Sequence, residues 1–296
     1  MLLRRRVFAE ELPISERRQR IESSVRWLRP AKGVQVSPIT VGGQELGIPV
    51  PAEWIEPQEK SPTGVLYYIH GGAFVICSVK THRSLVSRLV KTAGVKALSL
   101  DYRLAPEYPF PAALDDCLTG YHWLMAEGFS PHQILVAGDS AGGNLALAMM
   151  LALKQAGEPL PAAAVCLSPV TDLAGTGESI VNKAKVDPIL NPVLAHKMVL
   201  ECYVKDHDER DPLISPLYGE LSNLPPILLH VGEDEVLLDD SVRFAARARS
   251  AGVDVQLVIW PGMWHVFHIF APIVPEANQA IEQAGMFIRR MIHSPK

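Results

Sequence analysis

Cysteine is scarce: four in 296 residues, at 77, 117, 166 and 202. They show neither Cys-x-x-Cys spacing nor the density of a disulfide scaffold, so free and mostly buried thiols are expected. Long apolar runs are missing too. The longest, residues 145–153, spans nine positions, far short of the roughly 20 that a membrane crossing requires, and reads as a helix buried on most sides. There is no internal repeat, low-complexity tract or Ser/Gly-rich linker. Neither sign of charge dominates, the net being -4, and basic and aromatic residues do not interleave along any strand-like stretch, which argues against a nucleic-acid partner. The N-terminus has no apolar core of signal-peptide length and no small-residue cleavage site, so a cytoplasmic location is expected.

What is present is a large hydrophobic fraction, 48%, with 20% charged residues, suited to a folded chain with a sizeable core. Residues 1–32 hold nine Lys/Arg against four Asp/Glu. A basic helix could lie on an anionic membrane, but Ile21, Val25 and Leu28 at three-to-four spacing mark one buried face with arginines solvated opposite. Segments 34–41 and 44–55 read as a strand pair turned by Gly42-Gly43. Further strands are expected near 64–69, 95–101, 134–138, 163–168, 226–231 and 253–260, separated by stretches long enough for crossover helices, which implies a mainly parallel sheet. Between Thr171 and Pro216 the pattern weakens around the amphipathic stretch from Val193 to Val204, and a lid is expected there.

Chemistry gathers at the ends of those strands. Gly138-Asp139-Ser140-Ala141-Gly142 stands between the run 134–137 and the apolar helix-like segment 145–153, the setting of a nucleophile elbow, whose tight turn needs residues without bulk. A lone G-x-S-x-G is a weak signal; context strengthens it. Upstream, His70-Gly71-Gly72-Ala73-Phe74 follows a buried strand and can turn backbone N–H groups toward a reacting oxygen. Downstream, Glu233-Asp234-Glu235 and then His265 follow two later strands. The order Ser, acid, His is the one expected of an α/β-hydrolase and differs from the chymotrypsin and subtilisin orders.

The chain resembles the bacterial hormone-sensitive-lipase-like esterases of the α/β-hydrolase superfamily over nearly its whole length. The resemblance rests on His70-Gly71-Gly72-Ala73, on Asp101-Tyr102-Arg103-Leu104-Ala105-Pro106-Glu107 with Phe110-Pro111-Ala112-Ala113, and on Gly138-Asp139-Ser140-Ala141-Gly142-Gly143. Ala73 takes a place where the family usually has glycine, and Asp234-Glu235-Val236 stands where it commonly has Asp-Pro-Leu. The resemblance implies an α/β-hydrolase fold: one domain with a mainly parallel eight-stranded sheet flanked by helices. It also implies a helical cap from about 1–33 and 173–212, over a catalytic core of about 34–172 and 213–296.

Roles follow by position. Ser140 is the expected nucleophile, His265 the base in a loop after a strand, and Asp234 the acid, with Glu233, Glu235, Asp239 and Asp240 structural or solvated. His230 sits inside a strand, His268 near the start of the next helix, and His70 braces the oxyanion loop. The N–H groups of Gly71, Gly72 and Ala141 are the expected oxyanion donors. Arg103 and Glu107 have no step of chemistry; if buried, each needs a partner. The expected activity is hydrolysis of carboxylic esters through an acyl-enzyme on Ser140, with no metal and no cofactor, and the resemblance implies short to medium acyl chains. An amidase or deacetylase using the same triad, or a non-catalytic small-ligand receptor on the same fold, are the alternatives. A homodimer through the apolar edge strand 253–260 is expected from the same resemblance.

Overall fold

The computed structural model describes residues 12–43, 47–58 and 64–293. The arginine run at 4–6 and residues 44–46 of the second expected strand lie outside them. Eight strands form one sheet: β1 (Val34–Val41), β2 (Val50–Pro57), β3 (Val65–Ile69), β4 (Lys96–Leu100), β5 (Ile134–Asp139), β6 (Ala163–Leu167), β7 (Ile227–Gly232) and β8 (Val255–Trp260), in the order β1-β2-β4-β3-β5-β6-β7-β8. β1 and β2 pair antiparallel to each other, as do β2 and β4, and every other neighbouring pair is parallel. Val41 pairs with Val50, so β2 begins at Val50 rather than 44 and the connection is longer than a two-residue turn. Gly42 and Gly43 both take positive φ, and the Gly43 N–H closes on the carbonyl of Gly47 instead of handing the chain directly into a strand.

The central parallel strands β3, β5, β6 and β7 are buried at every position, hence their largely apolar sequences, VLYYI in β3 and AAVCL in β6. On one face Tyr67, Val136 and Leu229 meet α3 (Ala112–Ala126), α4 (Ala141–Gln155) and α7 (Leu238–Ser250) through Leu114, Leu147 and Phe244. On the other, Tyr68, Leu135 and Leu228 meet α2 (Val79–Ala93) and α8 (Pro275–His293) through Leu85, Leu89 and Ile288. α2 starts where the Ser78 N–H donates to Thr81 Oγ1 at 3.1 Å, and it stops at Gly94, left-handed with φ 70°.

The N-terminal helix α1 (Ile14–Ser24) buries Ile21, and Leu28 beyond it is also buried, as the apolar spacing predicts, but Val25 is half-buried and Arg17, expected in solvent with the other arginines, is buried. The segment after β6 carries a short α5 (Ser179–Asn182), then α6 (Pro192–Val199) running into a π-helical turn, Leu200–Val204. Cys117 and Cys166 are buried, Cys77 and Cys202 half-buried, and all four are free. Among the described residues no helix is long and apolar enough to cross a membrane. β8 lies at one edge of the sheet, with β7 as its one neighbouring strand among the described residues.

Candidate active site

Ser140 stands between β5 and α4 at φ 51° and ψ −118°, a conformation side chains avoid and one that tight functional turns retain. Two glycines make it possible. A Cβ on Gly138 would lie 2.4 Å from the backbone of Gly142, and one on Gly142 would lie 2.0 Å from the carbonyl oxygen of Ile69. Strand, helix and the loop after β3 are thus packed backbone to backbone, and the Ser140 N–H is tied to the carbonyl of Leu167 at 2.9 Å.

His265, from the loop after β8, brings Nε2 to 3.0 Å from Ser140 Oγ. Its Nδ1 lies 3.2 Å from Oε1 of Glu235, which is completely buried. The expected acid, Asp234, is therefore not the carboxylate that meets the imidazole. It turns outward to Lys183 at 3.2 Å and is substantially exposed. The reason lies in the turn after β7. The Asp234 N–H bonds to the carbonyl of Met263, and within this turn the Glu235 side chain folds back to accept the Gly232 N–H, so residue 235 faces inward. The second carboxylate oxygen of Glu235 accepts the Ser168 hydroxyl at 2.7 Å and the Gly232 N–H at 2.8 Å. Burial alone would lower the His265 pKa, but the hydrogen bond and negative charge of Glu235 outweigh it and raise it above its ordinary value of 6.5.

The loop after β3 also departs from expectation. The Gly71 N–H donates to Asp139 Oδ1 at 3.1 Å and is not free to meet a substrate oxygen. A Cβ on Gly71 would come within 2.2 Å of the same carboxylate, and one on Gly72 within 2.1 Å of the carbonyl of Ile76, so both positions require glycine. That leaves the N–H groups of Gly72, Ala73 and Ala141 as the candidate donors, the last at the N-terminus of α4, where the helix dipole favours negative charge.

Asp139, the unassigned member of the pentapeptide, organises this wall. It is buried and also accepts the Tyr68 hydroxyl at 2.7 Å and pairs with His82 Nε2 at 3.1 Å. Burial pushes its pKa up, but the charge of His82 and these hydrogen bonds pull it down to about 2. His82 in turn is raised: desolvation lowers it, and Asp139 more than compensates. Periodicity assigns His82 only to a helix face, and nothing in its spacing announces an ion pair with residue 139.

His70 does brace the loop. Its Nδ1 donates to the carbonyl of Gly71 at 2.7 Å, its ring stacks on Tyr102 at 4.3 Å, and burial, aided by His82, lowers its pKa to about 3, so it is neutral. His230 and His268 are buried, with Nδ1 of the first 3.3 Å from Nε2 of the second, and burial lowers both, His230 to about 3. Arg103 and Glu107 find separate partners. Arg103 grips Asp116 in a fork at 2.7–3.0 Å. Glu107 receives both terminal nitrogens of Arg18 from α1 at 2.8 Å, while the Arg18 guanidinium also reaches the carbonyls of Val75 and Ala105. These pairs tie helices to the loops around the site.

Comparison with known proteins gives the class. A family profile described as alpha/beta hydrolase fold matches residues 66–269. An acetyl-hydrolase of Streptomyces hygroscopicus is 44% identical over 238 residues, covering 80% of this chain and 79% of that protein. An esterase of Acinetobacter venetianus is 39% identical, covering 86% and 82%. The crystal structure of an esterase from the bacterial hormone-sensitive lipase family superimposes with a TM-score of 0.92 at 42% identity, covering 98% of this chain and 96% of that one. The chain belongs to the α/β-hydrolase-fold family, in its hormone-sensitive-lipase-like carboxylesterase branch.

Proposed function

We propose that this carboxylesterase works through Ser140, His265 and Glu235, a reading carried by one observation: a hydroxyl, an imidazole and a buried carboxylate in series at 3.0 and 3.2 Å. Glu235 accepts the Nδ1–H of His265, leaving Nε2 as the acceptor for the Ser140 proton. As Ser140 Oγ bonds to the ester carbonyl carbon, the proton passes to Nε2 and the carbonyl oxygen becomes an oxyanion. The N–H groups of Gly72, Ala73 and Ala141 stabilise it without reorganising, and loss of one such donor costs roughly 10²–10³ in turnover. Collapse breaks the bond to the alkoxy oxygen, which takes the proton from His265. Water then attacks the acyl-serine, giving one proton to His265, which returns it to Ser140 as the acid leaves.

The residues of α1 and the segment 173–212 act as a cap, as the Lys183 to Asp234 and Arg18 to Glu107 pairs suggest. A small acyl group agrees with the acetyl-hydrolase name of the Streptomyces relative. The chain works in the cytoplasm and pairs through β8, whose Ile259 is exposed. The contact of His265 with Ser140 favours turnover over the receptor alternative, since a binding module has no need of an activated serine.

The test is labelling with a fluorophosphonate alongside hydrolysis of p-nitrophenyl acetate. Mass should appear on the Ser140 peptide, and Ser140→Ala should lower kcat by about five to six orders of magnitude. An unlabelled serine, or a variant with ordinary turnover, overturns the reading.

A further inference from the structure

We infer that Ser168 is a positioning residue for this reaction, its hydroxyl fixing the acid and the base loop to each other; the inference rests on the hydrolytic reading above. Ser168 follows β6 and is completely buried. Its Oγ lies 2.7 Å from Oε2 of Glu235 and 3.1 Å from the backbone nitrogen of Val266, the residue after the base. The direction of both bonds is forced. A backbone N–H can only donate, so the hydroxyl accepts from Val266 and spends its own proton on the carboxylate.

The backbone shows what this contact maintains. Val266 stands at φ 47°, a true outlier for a β-branched residue, and Ser168 at φ 49° faces it across the bond. Left-handed conformations at such residues persist only where the surroundings over-determine them. Here the Ser168 N–H is held by the carbonyl of His230 at 2.7 Å, and the carbonyl just before it, that of Leu167, holds the Ser140 N–H at 2.9 Å. One short stretch of backbone therefore touches the nucleophile's amide, the acid's carboxylate and the base's loop. Because the acid is a glutamate, with one more rotatable bond than an aspartate, a donor on its outer oxygen limits where the inner oxygen can meet Nδ1.

The experiment is a double-mutant cycle on hydrolysis of p-nitrophenyl acetate by the full chain, crossing Ser168→Ala with Glu235→Gln, with thermal melts alongside. Ser168→Ala is expected to lower kcat by about 10- to 100-fold with KM within about twofold. In the Glu235→Gln background the same change should cost less than about threefold, because the oriented carboxylate is already gone. If Ser168→Ala fails to fold, Ser168→Cys, which keeps the shape with a weaker donor, is read in its place. An equal cost in both backgrounds, a change confined to KM, or no cost at all overturns the inference while leaving the hydrolase reading intact. Absence of Ser140-dependent hydrolysis in the wild type removes the hydrolase reading, and the inference with it.

Discussion

The Nε2 of His82 lies 3.1 Å from Oδ2 of Asp139, with both side chains buried behind the loop that carries Gly71 and Gly72. Neither group reacts, yet the pair sets the shape of the wall on which an oxyanion would rest, because the other oxygen of Asp139 holds the Gly71 N–H.

Removing one partner of that pair should be costly. His82→Ala leaves a buried carboxylate without its partner, and about 3–5 kcal/mol of stability should be lost in urea unfolding at about pH 6, below the ordinary histidine value. The pH dependence has a definite sign. Asp139 is depressed to about 2 in the folded chain, so its contribution is present above the unfolded carboxylate range near pH 4 and is lost as pH falls toward about 2. Asp139→Asn should lack that acid decline, which unfolding curves at pH 5 and pH 2.5 would reveal. His82, raised in the folded state, contributes below about pH 6.5 and loses its share as pH rises through its folded value.

Two adjacent substitutions separate the acid from its neighbour. Glu235→Gln should reduce kcat by roughly 10³–10⁴, because the amide no longer holds the required imidazole tautomer and no longer stabilises its charged form. Asp234→Asn, which loses only a half-exposed pair with Lys183, should change kcat less than about threefold and stability by less than about 1 kcal/mol. Steady-state kinetics on the two purified variants decides it, and the reverse ranking would return the role to Asp234.

The acid limb of kcat/KM should lie above pH 6.5. His265 must be neutral to take the serine proton, and Glu235 raises its folded pKa, so activity falls as pH drops through that raised value. In Glu235→Gln the residual activity should titrate at lower pH. A limb at or below the ordinary histidine value in the wild type would contradict the His265 to Glu235 contact.

The positions of the strands along the chain were legible because parallel strands buried within a sheet write themselves as short apolar runs, and each expected strand from 64 onward falls within two residues of the observed one. The meeting of Ser140 and His265, at 3.0 Å, was legible for a related reason: each follows the carboxyl end of such a strand, where open α/β sheets build their clefts. The acid was not. Glu233, Asp234 and Glu235 are consecutive carboxylates after β7, and the family pattern favoured the middle one. Which faces His265 depends on the Asp234 N–H meeting the carbonyl of Met263, a contact across 29 residues. Gly71 misled in the same way. A glycine loop after a buried strand suggests free N–H donors, but whether one is already spent depends on a side chain 68 positions later.

By itself, then, the sequence determined a hydrolase sheet and the placing of Ser140 and His265 at the ends of its strands, because period, glycine placement and chain order are local properties that the chain states directly. Only the tertiary structure decided that Glu235 meets the imidazole, that Asp139 claims the Gly71 amide and that Ser168 joins acid to base. Those outcomes depend on the direction in which a side chain leaves a turn and on what distant backbone waits for it, and such information exists only once the chain has closed on itself.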